Sequence, residues 1–183
     1  LVFNAGDGTN GHPTQALLDL HSARKKLGNL DGAKMAMIGD VLHSRVARSD
    51  IQAFRKMGVT VTLSGPATLM PEDTGSLGVE YVSDAREAAR GADILYFLRI
   101  QRERQEDGLI PSIDEYHRRW GATDSLVALA SPKAAVMHPG PMNRGVEIAS
   151  SVADGPNSVI LGQVRSGVAV RMALLYLCLG GAR

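Results

Sequence analysis

Two arginines follow predicted strands at positions where they could bind an anionic ligand. Arg45 lies a few residues beyond the apolar run 34–38, and Arg99 directly follows the apolar run 94–98. The guanidinium group presents a planar fork of donors, so two converging arginines would suit a ligand with two carboxylates or a phosphate. Each arginine taken alone is more simply explained as a solvated surface residue.

His12 and Gln15 form a second polar pair, directly after the glycine-rich loop 5–11. Pro13 lies between them and suits the first turn of a helix, so both side chains are predicted at the positive end of a helix dipole. That position would suit an anionic ligand or a polarised carbonyl group. A lone histidine there is more often a capping or packed residue, and the pair alone leaves the role of His12 open.

Short apolar runs alternate with segments of helical periodicity along the chain. The pattern predicts the end of a strand at 1–4 and further strands over 34–38, 59–63, 79–82, 94–98 and 134–137. It predicts helices over 13–27, 46–57, 84–90, 113–120 and 164–179. Strands separated by helices of this length imply βαβ units. We therefore expect an α/β fold, a doubly wound parallel sheet flanked by helices, with ligands at the carboxyl ends of the strands.

The composition excludes several classes of protein. The formal net charge is +1 and only 4% of the residues are aromatic, which argues against a nucleic-acid partner. A single cysteine excludes a disulfide framework and fits a reducing compartment. The apolar stretch 168–179 is interrupted by Arg171 and is predicted to be too short for a membrane span. Because no export signal opens the sequence, a cytoplasmic protein without a membrane partner is expected.

A nucleotide cofactor is not predicted. Gly39 and Asp40 follow a strand, but the next residues lack the further glycines of a dinucleotide fingerprint. The following strand ends at Ser64–Gly65 without an acidic residue for a ribose, and no phosphate-binding Walker loop is found. We therefore expect no cofactor, and no metal is expected either, since a single cysteine excludes a Cys-rich zinc site.

Four segments, in this order, closely resemble motifs of the aspartate/ornithine carbamoyltransferase family. They are 4–19, which reads NAGDGTNGHPTQALLD, 39–49, which contains SRVARS, 98–104, which reads LRIQRER, and 138–144, which reads HPGPMNR. The last two resemble the aspartate branch of the family, since the ornithine branch has a cysteine in the corresponding final loop. The only cysteine here is Cys178, in the last predicted helix.

The resemblance implies a transferase that moves the carbamoyl group from carbamoyl phosphate to L-aspartate, giving N-carbamoyl-L-aspartate and phosphate. His12 would be the catalytic residue that donates to the carbamoyl oxygen, and Gln15 would hold the carbamoyl amide. Arg45 would bind the α-carboxylate of L-aspartate. Arg99 and Gln101 would bind the β-carboxylate.

The loop 138–144 completes the expected site. The resemblance implies that the backbone of Gly140 and Pro141 lines the L-aspartate subsite and accepts hydrogen bonds from the attacking amine. It also implies a cis peptide between these two residues. Glu103 is expected close enough to Arg99 to orient its guanidinium group.

The resemblance also divides the chain into parts. Residues 1–29 would be the end of a carbamoyl-phosphate domain with a connecting helix, 30–158 an aspartate-binding domain of Rossmann-like fold, and 159–183 a helix that returns to the amino-terminal domain. The family's Ser-Thr-Arg-Thr-type phosphate motif is not among these residues, so we expect the sequence to start inside a longer chain and to be inactive by itself.

Expected partners are carbamoyl phosphate, L-aspartate and two further copies in a homotrimer, with other pyrimidine-pathway subunits as a further option. Two alternatives stay open at this point. One is a non-catalytic paralogue that serves as a structural subunit of a pyrimidine-pathway assembly, and the other is a stand-alone amino-acid-binding module. Independently of the resemblance, the helix 164–179 is apolar nearly all round, which predicts an exposed apolar surface along it and near residues 1–3.

Overall fold

A five-stranded parallel sheet forms the centre of the structure, a computed structural model that describes residues 2–100 and 112–180. The strands are β1 (Lys34–Ile38), β2 (Thr60–Ser64), β3 (Glu80–Tyr81), β4 (Ile94–Phe97) and β5 (Ala135–Met137). The helices are α1 (Pro13–Leu27), α2 (Arg45–Lys56), α3 (Ala85–Ala89), α4 (Ile113–Trp120), α5 (Asp124–Val127), α6 (Ser150–Ala153) and α7 (Ile160–Cys178), with a 3-10 turn at Ala67–Leu69.

The strand order is β3-β2-β1-β4-β5, so the direction of winding reverses between β1 and β4. Side chains of β1 alternate between two apolar cores, because successive residues of a strand point to opposite faces. Met35 and Met37 pack with α1 and α2 on one face, whereas Ala36 and Ile38 pack with α3 and α4 on the other. The predicted doubly wound α/β sheet is therefore confirmed.

Helix starts agree with the capping residues of the sequence. The Ser44 hydroxyl accepts a hydrogen bond from the Ala47 N–H at the start of α2, and the Asp84 carboxylate caps α3. The Ser112 hydroxyl accepts from the Glu115 N–H at the start of α4. Each side chain satisfies a backbone donor that the first turn leaves free, which is why these residues fix the helix boundaries.

Other boundaries differ from the sequence predictions. β2 is displaced by one residue, β3, β4 and β5 are shorter than predicted, and α7 begins at Ile160 rather than Val164. Residues 2–4 form no strand, because a strand is defined by its hydrogen-bonded neighbour and the described strands pair with one another. The 3-10 turn, α5 and α6 were not predicted, since elements of three or four residues are too short for a periodic signal.

The earlier start of α7 corrects the prediction that its apolar stretch is too short for a membrane. Within the described residues, Ile160–Cys178 is one helix long and apolar enough to cross a bilayer, by length and composition only. Only 22% of that span is buried. Its buried residues, Ile160, Gln163, Ser166 and Gly167, lie in the first half, where α7 packs on α1.

The outer side of α7 carries the exposed apolar surface that the sequence predicts. We call it the α7 apolar face: its members are between 47% and 71% exposed and recur every three or four residues, at Leu161, Val164, Val168, Met172, Leu175 and Leu179. Val2 and Phe3 are exposed as well. A contiguous apolar stripe of this kind is typical of a surface that another protein segment covers.

We expect the triple variant Val164→Gln, Val168→Gln and Met172→Gln to bind less hydrophobic dye and to self-associate less than the unchanged chain. Because these side chains are exposed, the free energy of unfolding should change by less than about 0.5 kcal/mol for each substitution. Sedimentation velocity and urea unfolding measure the two effects. Ile160→Gln is the matched control, since that residue is buried and its substitution should destabilise the chain. Unchanged association in the triple variant would contradict this role of the α7 apolar face.

Candidate active site

Two of the predicted polar loops leave the sheet side by side. β1 and β4 pair in parallel with Ile38 opposite Phe97, so the residues after both strands emerge at the same carboxyl edge. Gly39 has a φ of +128°, and a Cβ there would lie 3.1 Å from the Leu98 Cβ. A glycine is thus required for the two strand ends to approach this closely. Arg99, which follows Leu98, is half-buried at this edge.

Arg45 lies against the loop that precedes α1. A Cβ on Gly6, whose φ is +117°, would be 2.7 Å from the Arg45 Cζ, so the guanidinium group packs directly on the Gly6 backbone. The same loop is tied to α2 by a hydrogen bond from the His12 N–H to the Ser49 hydroxyl, 2.8 Å long. These contacts bring the first and second motifs of the sequence together at one place.

His12 is half-buried and remains neutral at physiological pH. Burial lowers the pKa of its imidazole, and the positive charges of Arg45 and Arg171 lower it further. A neutral imidazole can donate one hydrogen bond to a polarised oxygen without transferring its proton. Sequence reasoning missed Arg171 as a member of the site. Its signal in the sequence was a charge that interrupts the apolar stretch 168–179.

Gln15 and the loop after β5 line one cavity of about 400 Å³. His138, Pro139, Gly140 and Arg171 form the polar and loop side of this cavity, and the first half of α7 forms its apolar wall. A larger cavity of about 760 Å³ lies along the outer side of α1 and contains none of the predicted site residues. The cavity of about 400 Å³ is therefore the better candidate for the functional site.

A buried hydrogen-bond network shapes the loop 138–144. The Gly140 N–H donates to the His138 Nδ1 at 2.9 Å, so the imidazole carries its proton on Nε2 and donates it to the Glu147 carboxylate at 3.2 Å. The Asn143 amide donates to the Ile100 carbonyl at 3.2 Å and to Glu147. The loop is thereby fastened to the residue that follows Arg99. Sequence reasoning did not identify Glu147 or its role.

The expected residues of this loop have a mixed outcome. The Gly140–Pro141 peptide is cis, which confirms that prediction, and both residues are exposed. Gln101 and Glu103 lie outside the described residues.

Asp40 is buried and accepts hydrogen bonds from the N–H and the imidazole of His43. In 2–100 and 112–180, no group of three His, Cys, Asp or Glu side chains could hold a metal ion.

A buried carboxylate lies directly behind Gln15. Asp19 accepts a hydrogen bond of 2.6 Å from the Gln163 Nε2 and one of 2.7 Å from the Tyr96 hydroxyl. The Gln15 Nε2 donates to both of its oxygens, at 3.2 and 3.3 Å. Asp50 lies beside Asp19 and Tyr96, although neither of its oxygens makes a well-aligned hydrogen bond. Four secondary-structure elements thus meet at one polar cluster.

The two acids of this cluster have perturbed pKa values. Burial raises the pKa of Asp19 to about 6, although its three donors oppose the shift. Burial, together with the negative charge of Asp19, raises the pKa of Asp50 well above the usual range, so Asp50 is the acid that keeps its proton. Burial and the same two acids raise the pKa of Tyr96, which remains a donor. A charged and a neutral acid can share this interior because only one charge is buried.

The parallel sheet and the polar loops at its carboxyl edge define an α/β ligand-binding domain with a positively charged site. The family model for the Asp/Orn binding domain of aspartate/ornithine carbamoyltransferase matches residues 31–178. The chain therefore belongs to the aspartate/ornithine carbamoyltransferase family, which confirms the resemblance seen in its four motifs.

The relatives agree with this assignment. The aspartate carbamoyltransferase catalytic subunit of Moorella thermoacetica is 56% identical over 99% of this chain and 59% of its own length. The aspartate transcarbamoylase of Trypanosoma cruzi in complex with N-(phosphonacetyl)-L-aspartic acid is 32% identical, with a TM-score of 0.83 over 94% of this chain and 57% of that one. The ornithine carbamoyltransferase of Pyrococcus furiosus is 28% identical, with a TM-score of 0.80 over 96% and 58%. The chain thus spans somewhat more than half the length of these proteins.

We expect Asp50→Asn to flatten the dependence of stability on pH. Between the pKa of an unfolded aspartic acid, about 3.9, and its raised folded value, the native state binds more protons than the unfolded state. The free energy of unfolding therefore falls as the pH rises, by up to about 1.4 kcal/mol per pH unit for each such acid. An amide at position 50 cannot ionise and removes one of these contributions.

Urea unfolding of both proteins between about pH 4 and pH 7 measures the difference. The unchanged chain should lose more stability over this range than the variant. Asp31→Asn is the control, since that carboxyl is exposed, and its curve should follow the unchanged chain. Parallel curves for the unchanged chain and Asp50→Asn would contradict the burial of a protonated acid.

Proposed function

We propose that this chain is the L-aspartate-binding part of an aspartate carbamoyltransferase catalytic chain, which transfers the carbamoyl group of carbamoyl phosphate to L-aspartate. The observation that carries the proposal is that Gln15 and Gly140 line the same cavity. Gln15 is the residue expected to hold the carbamoyl amide, and Gly140 is expected to line the L-aspartate subsite. The close relatives bear the same activity in their names. The transferase would act in pyrimidine biosynthesis.

We propose the division of the chain that the resemblance implies. Residues 1–29 would belong to the carbamoyl-phosphate domain and its connecting helix, 30–158 to the aspartate-binding domain, and 159–183 to the helix that returns to the first domain. The exposed α7 apolar face supports this division, because the first domain would cover that face where the helix packs on it. A cytoplasmic homotrimer is proposed for the complete protein, with or without other pyrimidine-pathway subunits.

The chemistry is attack of a neutral amine on a carbonyl carbon, with phosphate as the leaving group. Negative charge develops on the carbonyl oxygen, and His12 would stabilise it by donating a hydrogen bond from a neutral imidazole. The charges of Arg45 and Arg171 favour this neutral form and add positive potential. Gln15 would hold the carbamoyl amide in the cavity, so that catalysis comes from positioning and electrostatic stabilisation.

L-aspartate would bind through its two carboxylates. Arg45 is proposed for the α-carboxylate, and Arg99 with Gln101 for the β-carboxylate. The backbone of Gly140 and Pro141 would accept hydrogen bonds from the attacking amine. The link from Asn143 to the Ile100 carbonyl supports this arrangement, because it holds the amine-binding loop beside the β-carboxylate subsite.

We expect Arg99→Ala, in a complete catalytic chain that carries this sequence, to weaken the use of L-aspartate and leave the affinity for carbamoyl phosphate nearly unchanged. Loss of a charge-assisted bidentate contact should raise the transition-state barrier by about 2–4 kcal/mol. Steady-state kinetics with each substrate varied in turn measure the effect as a lower kcat/KM for L-aspartate.

Arg144→Ala is the matched control for this experiment. Its guanidinium group forms an exposed bidentate pair with Asp154, at 2.7 and 2.8 Å, and faces no proposed substrate group. Removal of that arginine should leave both kinetic constants within a factor of about two, as expected for an exposed ion pair. An Arg99→Ala enzyme with an unchanged kcat/KM for L-aspartate would refute the proposed role of Arg99.

A further inference from the structure

The buried carboxylate of Asp19 determines which atom of Gln15 faces the cavity. Asp19 lies one helical turn after Gln15 on α1 and is fully buried. A carboxylate accepts hydrogen bonds and cannot donate them, so only the amide nitrogen of Gln15 can be turned toward it. The amide oxygen must then point away from Asp19. Gln15 therefore presents an acceptor to the cavity that it lines.

The same carboxylate orients a second glutamine. The Gln163 Nε2 donates to Asp19 Oδ1 at 2.6 Å, which leaves the Gln163 Oε1 free to accept the His138 N–H at 3.1 Å. That N–H belongs to the first residue after β5, where the loop 138–144 begins. One carboxylate on α1 thus fixes an amide in the cavity and the backbone at the base of the loop.

The remaining groups around Asp19 support its role as an acceptor. The Tyr96 hydroxyl donates to Oδ2 at 2.7 Å, and Asp50, which keeps its proton, is the other acid in contact with the cluster. Each described side chain that makes a hydrogen bond to Asp19 is therefore a donor. Asp19 itself does not line the cavity, so it can act on a ligand only through Gln15 and Gln163.

We propose that Asp19 is a positioning residue that makes the site selective for the NH2 group of the carbamoyl donor, by holding the Gln15 amide with its oxygen toward the cavity. The proposal rests on the proposed function, in which Gln15 contacts the carbamoyl amide. Acetyl phosphate is the discriminating probe. It carries a methyl group where carbamoyl phosphate carries NH2, and it offers no donor to the Gln15 oxygen.

Asp19→Asn disturbs this arrangement without changing the size of the side chain. The new amide has one acceptor oxygen for donors that previously shared two, and its nitrogen repels any donor that it faces. This repulsion is relieved when the Gln15 amide rotates and turns its oxygen toward the new amide. The Gln15 nitrogen then faces the cavity, where it repels the carbamoyl NH2 because both groups are donors. The affinity for carbamoyl phosphate should fall about tenfold, as expected for one lost hydrogen bond, whereas that for acetyl phosphate should change little.

An exchange variant restores the pattern of donors and acceptors. In Asp19→Asn combined with Gln163→Glu, the new amide nitrogen at position 19 can donate to the new carboxylate at position 163. The amide oxygen at position 19 can still accept from Tyr96 and Gln15, and the carboxylate at position 163 can still accept the His138 N–H. The Gln15 oxygen should again face the cavity, with the preference for carbamoyl phosphate restored.

The experiment compares dissociation constants for carbamoyl phosphate and acetyl phosphate in a complete catalytic chain that carries this sequence. The unchanged chain, Asp19→Asn, the exchange variant and Asp50→Asn are measured in parallel after circular dichroism has confirmed folding. Asp50→Asn is the matched control, since it removes a neighbouring acid that donates nothing to Gln15. We expect the dissociation constant for acetyl phosphate divided by that for carbamoyl phosphate to fall about tenfold in Asp19→Asn alone and to match the unchanged chain in the other two variants.

Each outcome decides the matter. An unchanged ratio in Asp19→Asn overturns the proposal. An equal loss of affinity for both ligands also overturns it, because that result indicates a merely structural role. If Asp19→Asn does not fold, the exchange variant decides: it should fold with the original ratio, and its failure to do either overturns the proposal. If the unchanged chain itself shows no preference for carbamoyl phosphate, the proposed function fails, which is a distinct result.

Discussion

The buried carboxylate of Asp19 is the interaction on which the other parts of the site depend. Removing a carboxylate from water is costly, and here three donors offset that cost from α1, β4 and α7. None of these elements can move away without leaving a buried charge with fewer partners. Asp19 therefore fixes the position of α7 on α1. This contact also sets the shape of the cavity that α1 and α7 line.

Burial and the positive charges of the site together keep His12 neutral by lowering the pKa of its imidazole. Arg45 at the start of α2 and Arg171 on α7 both act electrostatically on the imidazole, so two elements that are distant in sequence affect one side chain. Their positive charge opposes protonation of the imidazole and attracts an anionic ligand to the same place. A single electrostatic arrangement thus serves both the binding of anions and the donor state of His12.

Much of this could be predicted from the sequence, because the relevant signals are local. Ser44, Asp84 and Ser112 mark helix starts by the hydrogen bonds that their own side chains make. The apolar runs identify the strands, and the motifs identify the loops at the strand ends. Sequence patterns do not contain the partners of a side chain, however. Asp19 resembled an ordinary polar residue of α1, and its burial depends on Tyr96 and Gln163, which are far away in the chain.

The two sides of α7 explain why its apolar sequence pattern coincides with an exposed surface. Gln163, Ser166 and Gly167 face α1, and a Cβ on Gly167 would lie 3.3 Å from the Leu18 Cδ2, which is tighter than an ordinary contact. The opposite side is the α7 apolar face. A helix that buries small and polar residues and exposes large apolar ones inverts the usual pattern of a surface helix, so its apolar stripe does not indicate the core of this domain. The inversion follows from the site, since Gln163 must reach both Asp19 and His138, and only small neighbours leave room for α1 to approach.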